Sequence, residues 1–110
     1  VARILAIDDY PDLLRTYVNI FGEKGHQVVP ASDAKTCMNH LMTPPKFDIV
    51  VGCDVENGGE LTREIRNLCP DLPIIMITTI SERGPNAANA HFPKPFQLNE
   101  VLAKIAELVS

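Results

Sequence analysis

Short unbroken apolar runs alternate along this chain with stretches whose apolar residues return every third or fourth position. The runs Arg3-Ile-Leu-Ala-Ile-Asp-Asp9, Phe47-Asp-Ile-Val-Val-Gly-Cys53 and Ile74-Ile-Met-Ile-Thr78 are too continuous for half-exposed strands. They predict strands covered on both faces, as in a parallel sheet. After the first run, Leu13, Leu14, Tyr17, Val18 and Phe21 lie at helical spacing, opposite Arg15, Thr16 and Asn19. Pro11 and Asp12 suit the first turn of that helix, and Gly22 and Gly25 end it.

The same alternation continues to the end of the chain. His26-Gln-Val-Val-Pro-Ala31 predicts a short second strand, placed at the sheet edge because Pro30 has no N–H to donate. Ser32 or Asp33 can cap a second helix with the stripe Ala34, Cys37, Met38, Leu41 and Met42. A third helix is expected to be short, over residues 60–68, with Leu61, Ile65 and Leu68 inward. Gly84-Pro85 interrupts a fourth over residues 80–90, leaving a turn or two around 86–89. Ala90-His-Phe-Pro93 is a brief fifth strand, and residues 97–109 close the chain as a helix with Leu98, Val101, Leu102, Ile105 and Leu108 inward. Strands and helices in strict alternation mean an α/β sandwich around one parallel sheet with right-handed crossovers. With no internal repeat or linker, residues 1–110 read as a single domain. Neither G-x-G-x-x-G nor G-x-x-x-x-G-K-[ST] occurs, which weighs against nucleotide-binding variants of this architecture.

Composition narrows the partners. At 45% hydrophobic residues the chain has material for one core, and its net charge of −4 argues against nucleic acid or an anionic membrane as partner. No apolar run approaches the ~20 residues of a membrane-spanning helix, and no basic leader with a cleavage site is present. Cys37, Cys53 and Cys69 are odd in number and widely spaced, which points to reduced thiols and a cytoplasmic setting. Cys37 with His40 makes no metal pair, since Cys37 belongs to the apolar stripe.

The chemistry sits at the strand ends. Asp8 with Asp9, Asp54, Thr78 and Lys94 each close an apolar run. A parallel sheet points all its carboxyl ends one way, where open α/β sheets hold their ligands. A pair of turn aspartates is ordinary by itself, but three carboxylates at one edge favour a hard cation such as magnesium. Lys94 and the Thr78 hydroxyl would suit a phosphoryl oxygen, and Asp54 could act as the nucleophile that becomes an aspartyl phosphate.

This set resembles the receiver domain of two-component response regulators, over nearly the whole chain. Arg3-Ile-Leu-Ala-Ile-Asp-Asp9 is similar to the family's first strand and acidic pair, and Gly25-His-Gln-Val-Val-Pro-Ala-Ser-Asp33 to its second strand and turn. Asp71-Leu-Pro-Ile-Ile-Met-Ile-Thr78 carries the family's hydroxyl residue, and Lys94-Pro95-Phe96 its Lys-Pro-Phe signature. The resemblance implies a flavodoxin-like, doubly wound five-stranded sheet of order 2-1-3-4-5, here with shortened third and fourth helices. It implies Mg2+ at Asp9, Asp54 and, through water, Asp8, with catalytic roles for Asp54, Thr78 and Lys94. A sensor histidine kinase or phosphotransfer protein would donate the phosphoryl group, and a downstream effector or output domain would read the result. Enzymatic activity would be limited to self-phosphorylation and hydrolysis of the aspartyl phosphate. The Lys94-Pro95 bond is the expected cis peptide.

Departures from the pattern matter as much. Spacing from Asp48 puts Cys53 at the acceptor position, whereas Asp54 fits if the third strand carries an extra residue, with Gly52 the natural place for a bulge. With Cys53 there, the domain would be a pseudo-receiver that binds partners without phosphorylation. Asn57-Gly58-Gly59 replaces the family's longer loop after the acceptor, and Glu56 would supply a carbonyl to the metal and could add its side chain. Tyr10 stands where the family often has a third acid. His91 occupies the position of the family's aromatic switch residue. The clipped segment over residues 81–90 argues for a monomer or weak dimer. A small metal-dependent phosphatase with an aspartate nucleophile is remote, since no Asp-x-Asp strand end or cap is present.

Overall fold

The computed structural model describes residues 2–79 and 87–110. Its elements follow the order β1 (Arg3–Asp8), α1 (Pro11–Glu23), β2 (Gln27–Ala31), α2 (Ala34–Leu41), β3 (Ile49–Asp54), α3 (Gly58–Leu68), β4 (Ile74–Thr78), β5 (Ala90–Pro93) and α4 (Leu98–Val109). All neighbouring strands pair in parallel, in the order β2-β1-β3-β4-β5. The sheet thus has the order the resemblance implied, with Pro30 on an edge strand where its missing N–H costs no ladder bond.

Side chains alternate across the sheet and divide the core in two. Ile4, Ala6, Ile49, Val51, Ile75 and Ile77 face Leu14, Tyr17 and Phe21 of α1 and Val101 and Ile105 of α4. On the opposite face Leu5, Ile7, Val50, Ile74 and Met76 meet Cys37 of α2 and Leu61 and Ile65 of α3. Central strands buried on both sides explain why their sequences read as continuous apolar runs. Local signals act as expected at the helix ends: Asp33 caps α2, its Oδ1 accepting from the Thr36 N–H at 2.7 Å.

Helix lengths differ from expectation. The third helix runs 11 residues from Gly58, starting two residues before the expected position 60. Leu68, its last residue, is 43% exposed beside an open groove, and Met42 is 63% exposed because α2 ends at Leu41 and leaves Met42 as its C-cap. Four helices are present among the described residues. The expected fourth helix falls mainly on residues 80–86, outside the described residues, and residues 87–89 are not helical.

The irregularity that positions the site is in β3. Ile7 pairs with Gly52 but Asp8 pairs with Asp54, so Cys53 is an extra residue in the strand. Gly52 adopts φ +110° and Cys53 φ +59°. A Cβ on Gly52 would stand 2.2 Å from the Ile7 carbonyl oxygen, which leaves glycine as the residue this bulge requires. Gly58 fits as closely against the bulge, since a Cβ there would lie 2.4 Å from the Cys53 carbonyl oxygen.

Arg66 fastens the far edge. Its guanidinium donates to the carbonyls of Pro70, Leu72 and Ala87 and to Asn89 Oδ1, which also accepts from the Ile74 N–H. The start of β5 is therefore tied to the end of α3 as well as to β4.

Gly52→Ala is expected to destabilise the protein by about 3 kcal/mol, through left-handed backbone strain and the clash with Ile7. Gly22→Ala, within α1 and with open space around the added methyl, is expected to stabilise by about 0.5 kcal/mol. Urea unfolding of both variants checks the contrast; equal effects would mean that the bulge is not strained.

Candidate functional site

Parallel strands deliver four polar groups to the carboxyl edge of the sheet. Asp8 ends β1, Asp54 ends β3, Thr78 ends β4 and Lys94 follows β5. Lys94 Nζ donates to Asp8 Oδ2 at 2.7 Å and to Asp54 Oδ2 at 2.6 Å. Asp8 is wholly buried, and its other oxygen accepts from the Tyr10 N–H at 2.9 Å. The Asp9 N–H reaches the Asp54 carbonyl at 3.2 Å, which ties the ends of β1 and β3 together. The Lys94 N–H donates to the Thr78 carbonyl at 2.8 Å, so backbone as well as side chain fixes the lysine. Both Lys94-Pro95 and Pro44-Pro45 are cis.

The extra residue in β3 separates the two possible acceptors. Cys53 is buried in the core between the sheet and α2–α3, where burial pushes its thiol pKa far up and keeps it neutral. Asp54, one residue later, is partly exposed and carries its carboxylate to Lys94. Without the bulge the strand's alternation would exchange these two positions.

Charge and burial compete within the triad. Burial raises the pKa of Asp8 above the ordinary carboxyl value; the Lys94 ammonium and the Tyr10 amide pull it back without cancelling the rise. Burial also works against the charge on Lys94, but hydrogen bonds to Asp54 and Asp8 outweigh it and the pKa lies above that of a free lysine. A buried carboxylate thus depends on one ammonium that it shares with Asp54.

The other expected site residues are placed less closely. Asp9 is exposed and lines an open groove with Tyr10, Asp54, Thr79, Lys94 and Phe96. Glu56 is exposed in the turn between β3 and α3. Among the described residues no three His, Cys, Asp or Glu side chains converge closely enough to hold a metal. The expected cluster of three carboxylates is therefore a pair, Asp8 and Asp54, with Lys94 between them and Asp9 on the solvent side. Thr78 Oγ1 is hydrogen-bonded to His91 Nε2 at 2.9 Å. That bond had no local signal in the sequence, because it depends on the register between β4 and β5.

Comparison with known proteins agrees with this fold. The response regulator receiver domain family matches residues 4–106. This chain belongs to that family. The receiver domain is 33% identical to the response regulator MprA of Mycolicibacterium vanbaalenii and 32% identical to MprA of Mycobacterium leprae, each alignment covering 97% of the chain and 50% of the relative. It thus spans about half the length of the curated relatives it matches. Among solved structures it resembles the non-phosphorylated HemR receiver domain of Leptospira biflexa, with 26% identity, TM-score 0.83 and coverage of 100% and 95% of the two chains. It also resembles TrrA of Thermotoga maritima, solved in complex with Mg2+–BeF, with 24% identity, TM-score 0.87 and coverage of 98% and 99%.

Removing Lys94 should expose the cost of burying Asp8. Asp8 already has a raised pKa in the folded state, and losing its cation raises it further. A raised carboxyl pKa favours the folded state at low pH, and that advantage disappears as pH climbs above the unfolded value. In metal-free buffer Lys94→Met is therefore expected to lose about 3 kcal/mol at pH 7 and much less near pH 4. Urea titrations across that range check the sign, and a loss independent of pH would contradict it.

Proposed function

We propose that this receiver domain is a phosphoacceptor, taking a phosphoryl group from a phosphohistidine onto Asp54 in a Mg2+-dependent reaction. The supporting observation is the Asp54 carboxylate at the carboxyl edge, hydrogen-bonded to Lys94, while Cys53 is buried in the core. An Asp54 oxygen attacks phosphorus, the phosphorus–nitrogen bond to the donor histidine breaks, and the imidazole leaves with the electron pair. Water later attacks the aspartyl phosphate and releases inorganic phosphate.

The donor set suits a hard divalent cation, since Asp8 and Asp54 offer carboxylate oxygens and the groove admits water. Asp9, Asp54 and, through water, Asp8 would hold Mg2+, with Glu56 adding its carbonyl and side chain. Bound there, the ion neutralises charge on the phosphoryl oxygens. Lys94 leaves Asp54 and Asp8 to pair with the transferred group, and Thr78 donates its hydroxyl to it. Lys94 therefore has two alternating partners, the carboxylate pair and the phosphoryl group. This role fits a cytoplasmic signalling protein whose donor is a sensor histidine kinase or phosphotransfer protein, with an effector or output domain downstream.

Intact mass after incubation with magnesium and acetyl phosphate tests the assignment. Wild type and Cys53→Ala are expected to gain one phosphoryl group, and Asp54→Asn none. Uptake by Asp54→Asn, or none by folded wild type, would contradict it. Glu56→Ala is expected to weaken Mg2+ binding by about threefold, the scale of one weak exposed charge contact. An unchanged affinity would remove the Glu56 side chain from the site.

A further inference from the structure

Tyr17 carries a hydroxyl into the apolar layer between the sheet and α1, where it has no partner. The side chain is 1% exposed, and among the described residues its Oη makes no hydrogen bond. The ring is stacked on Phe21, with centroids 5.6 Å apart, and tilted against Phe96, 5.9 Å away. A hydroxyl held in this way costs stability, because no bond offsets its desolvation. Phenylalanine would fill the same space without that cost.

Backbone direction carries this hydroxyl toward the acidic site. Strands β1 and β2 are parallel, so the helix between them runs back along the sheet and starts at the carboxyl edge. Helical side chains lean toward the helix N-terminus, which takes the Tyr17 ring toward that edge. Alternation along β1 puts Asp8 on the face of Ile4 and Ala6, the face that α1 covers. Burial, and then the charges of Asp8 and Asp54, raise the pKa of the phenol, which keeps it a neutral donor. Asp8 has capacity to spare, since Oδ1 accepts from the Tyr10 N–H and Oδ2 from Lys94. Phe96, which packs on Tyr17, also lines the groove beside Lys94.

Resting on the phosphoacceptor reading, we propose that Tyr17 is a positioning residue whose hydroxyl replaces Lys94 as hydrogen-bond donor to Asp8 when the lysine moves to the phosphoryl group. Departure of Lys94 leaves Oδ2 without a donor while the Tyr10 N–H still holds Oδ1. The carboxylate then turns about its anchored oxygen toward α1. Asp8 keeps two donors, and the Tyr17 hydroxyl gains a partner that it lacks in the ligand-free protein. An unpartnered hydroxyl thus raises the free energy of the ligand-free state relative to the loaded one, which eases the release of Lys94. Hydrogen-bond partners are exchanged, with no proton transferred and no covalent step beyond the one already described.

Tyr17→Phe removes the hydroxyl and keeps the ring, so its effect should change sign with the state of Asp8. In ligand-free protein at pH 7 its urea midpoint is expected to rise above that of wild type. In the background of Lys94→Met, where Asp8 has lost its ammonium without any ligand, the same replacement is expected to lower the midpoint. With magnesium present, beryllofluoride affinity is expected to fall about tenfold in Tyr17→Phe, the scale of one hydrogen bond to a charged acceptor. A midpoint shift of the same sign in both backgrounds would overturn the role of Tyr17, because a merely structural hydroxyl would behave so. An affinity unchanged or raised in Tyr17→Phe, with wild type binding normally, would overturn it too, and that comparison decides alone if Lys94→Met does not fold. Wild type that takes up neither beryllofluoride nor a phosphoryl group would instead overturn the phosphoacceptor reading and with it the exchange, whatever the sign of the midpoint shifts.

Discussion

One ammonium group holds the carboxyl edge of this sheet together. Lys94 Nζ lies within 2.7 Å of a buried carboxylate on β1 and 2.6 Å of a second on β3, although the lysine itself follows β5 at the sheet's far side. Two acids placed at adjacent strand ends repel each other, and burial of Asp8 makes its charge more costly still. The lysine offsets both terms, and it is available because the β5 backbone is fixed to β4 and, through Arg66 and Asn89, to α3. The same dependence gives the site its chemistry, since any cation or anion that binds there has to rearrange that triad.

Gly52 and Cys53 decide which side chain enters the triad. The two positive-φ residues shift β3 by one position relative to β1. A regular strand would direct the thiol to the edge and bury the carboxylate; the bulge does the reverse. The thiol packs into the α2–α3 core, where its neutral form is favoured. Gly58 then lets the start of α3 approach the bulge closely, so a short turn suffices between β3 and the helix.

Much of this was legible in the chain. Continuous apolar runs identified the buried strands, Pro30 marked the edge, and polar residues at the ends of four strands marked the candidate site. The bulge was legible as a choice: spacing pointed to Cys53, the chemistry of Asp54 pointed one residue on, and only the pairing of Asp8 with Asp54 separates them. What stayed hidden depends on contacts distant in sequence. The Thr78–His91 bond joins neighbouring strands, and Asp9, just past the end of β1, is exposed while Lys94 pairs with Asp8 and Asp54. Leu68 and Met42 had the right period for burial, but helix ends outrun the core they pack against. The extra length of α3 at its start came from Gly58 and Gly59, which read as loop residues in isolation.

A crystal structure grown with magnesium and beryllofluoride would test the central claim most directly, because it locates the acceptor atom. Beryllium is expected to be bonded to an Asp54 oxygen, with Lys94 Nζ moved from the carboxylate pair to a fluorine and Cys53 still buried with the bulge intact. Beryllofluoride absent from Asp54, or a straightened β3 that brings the Cys53 sulfur to the edge, would contradict it.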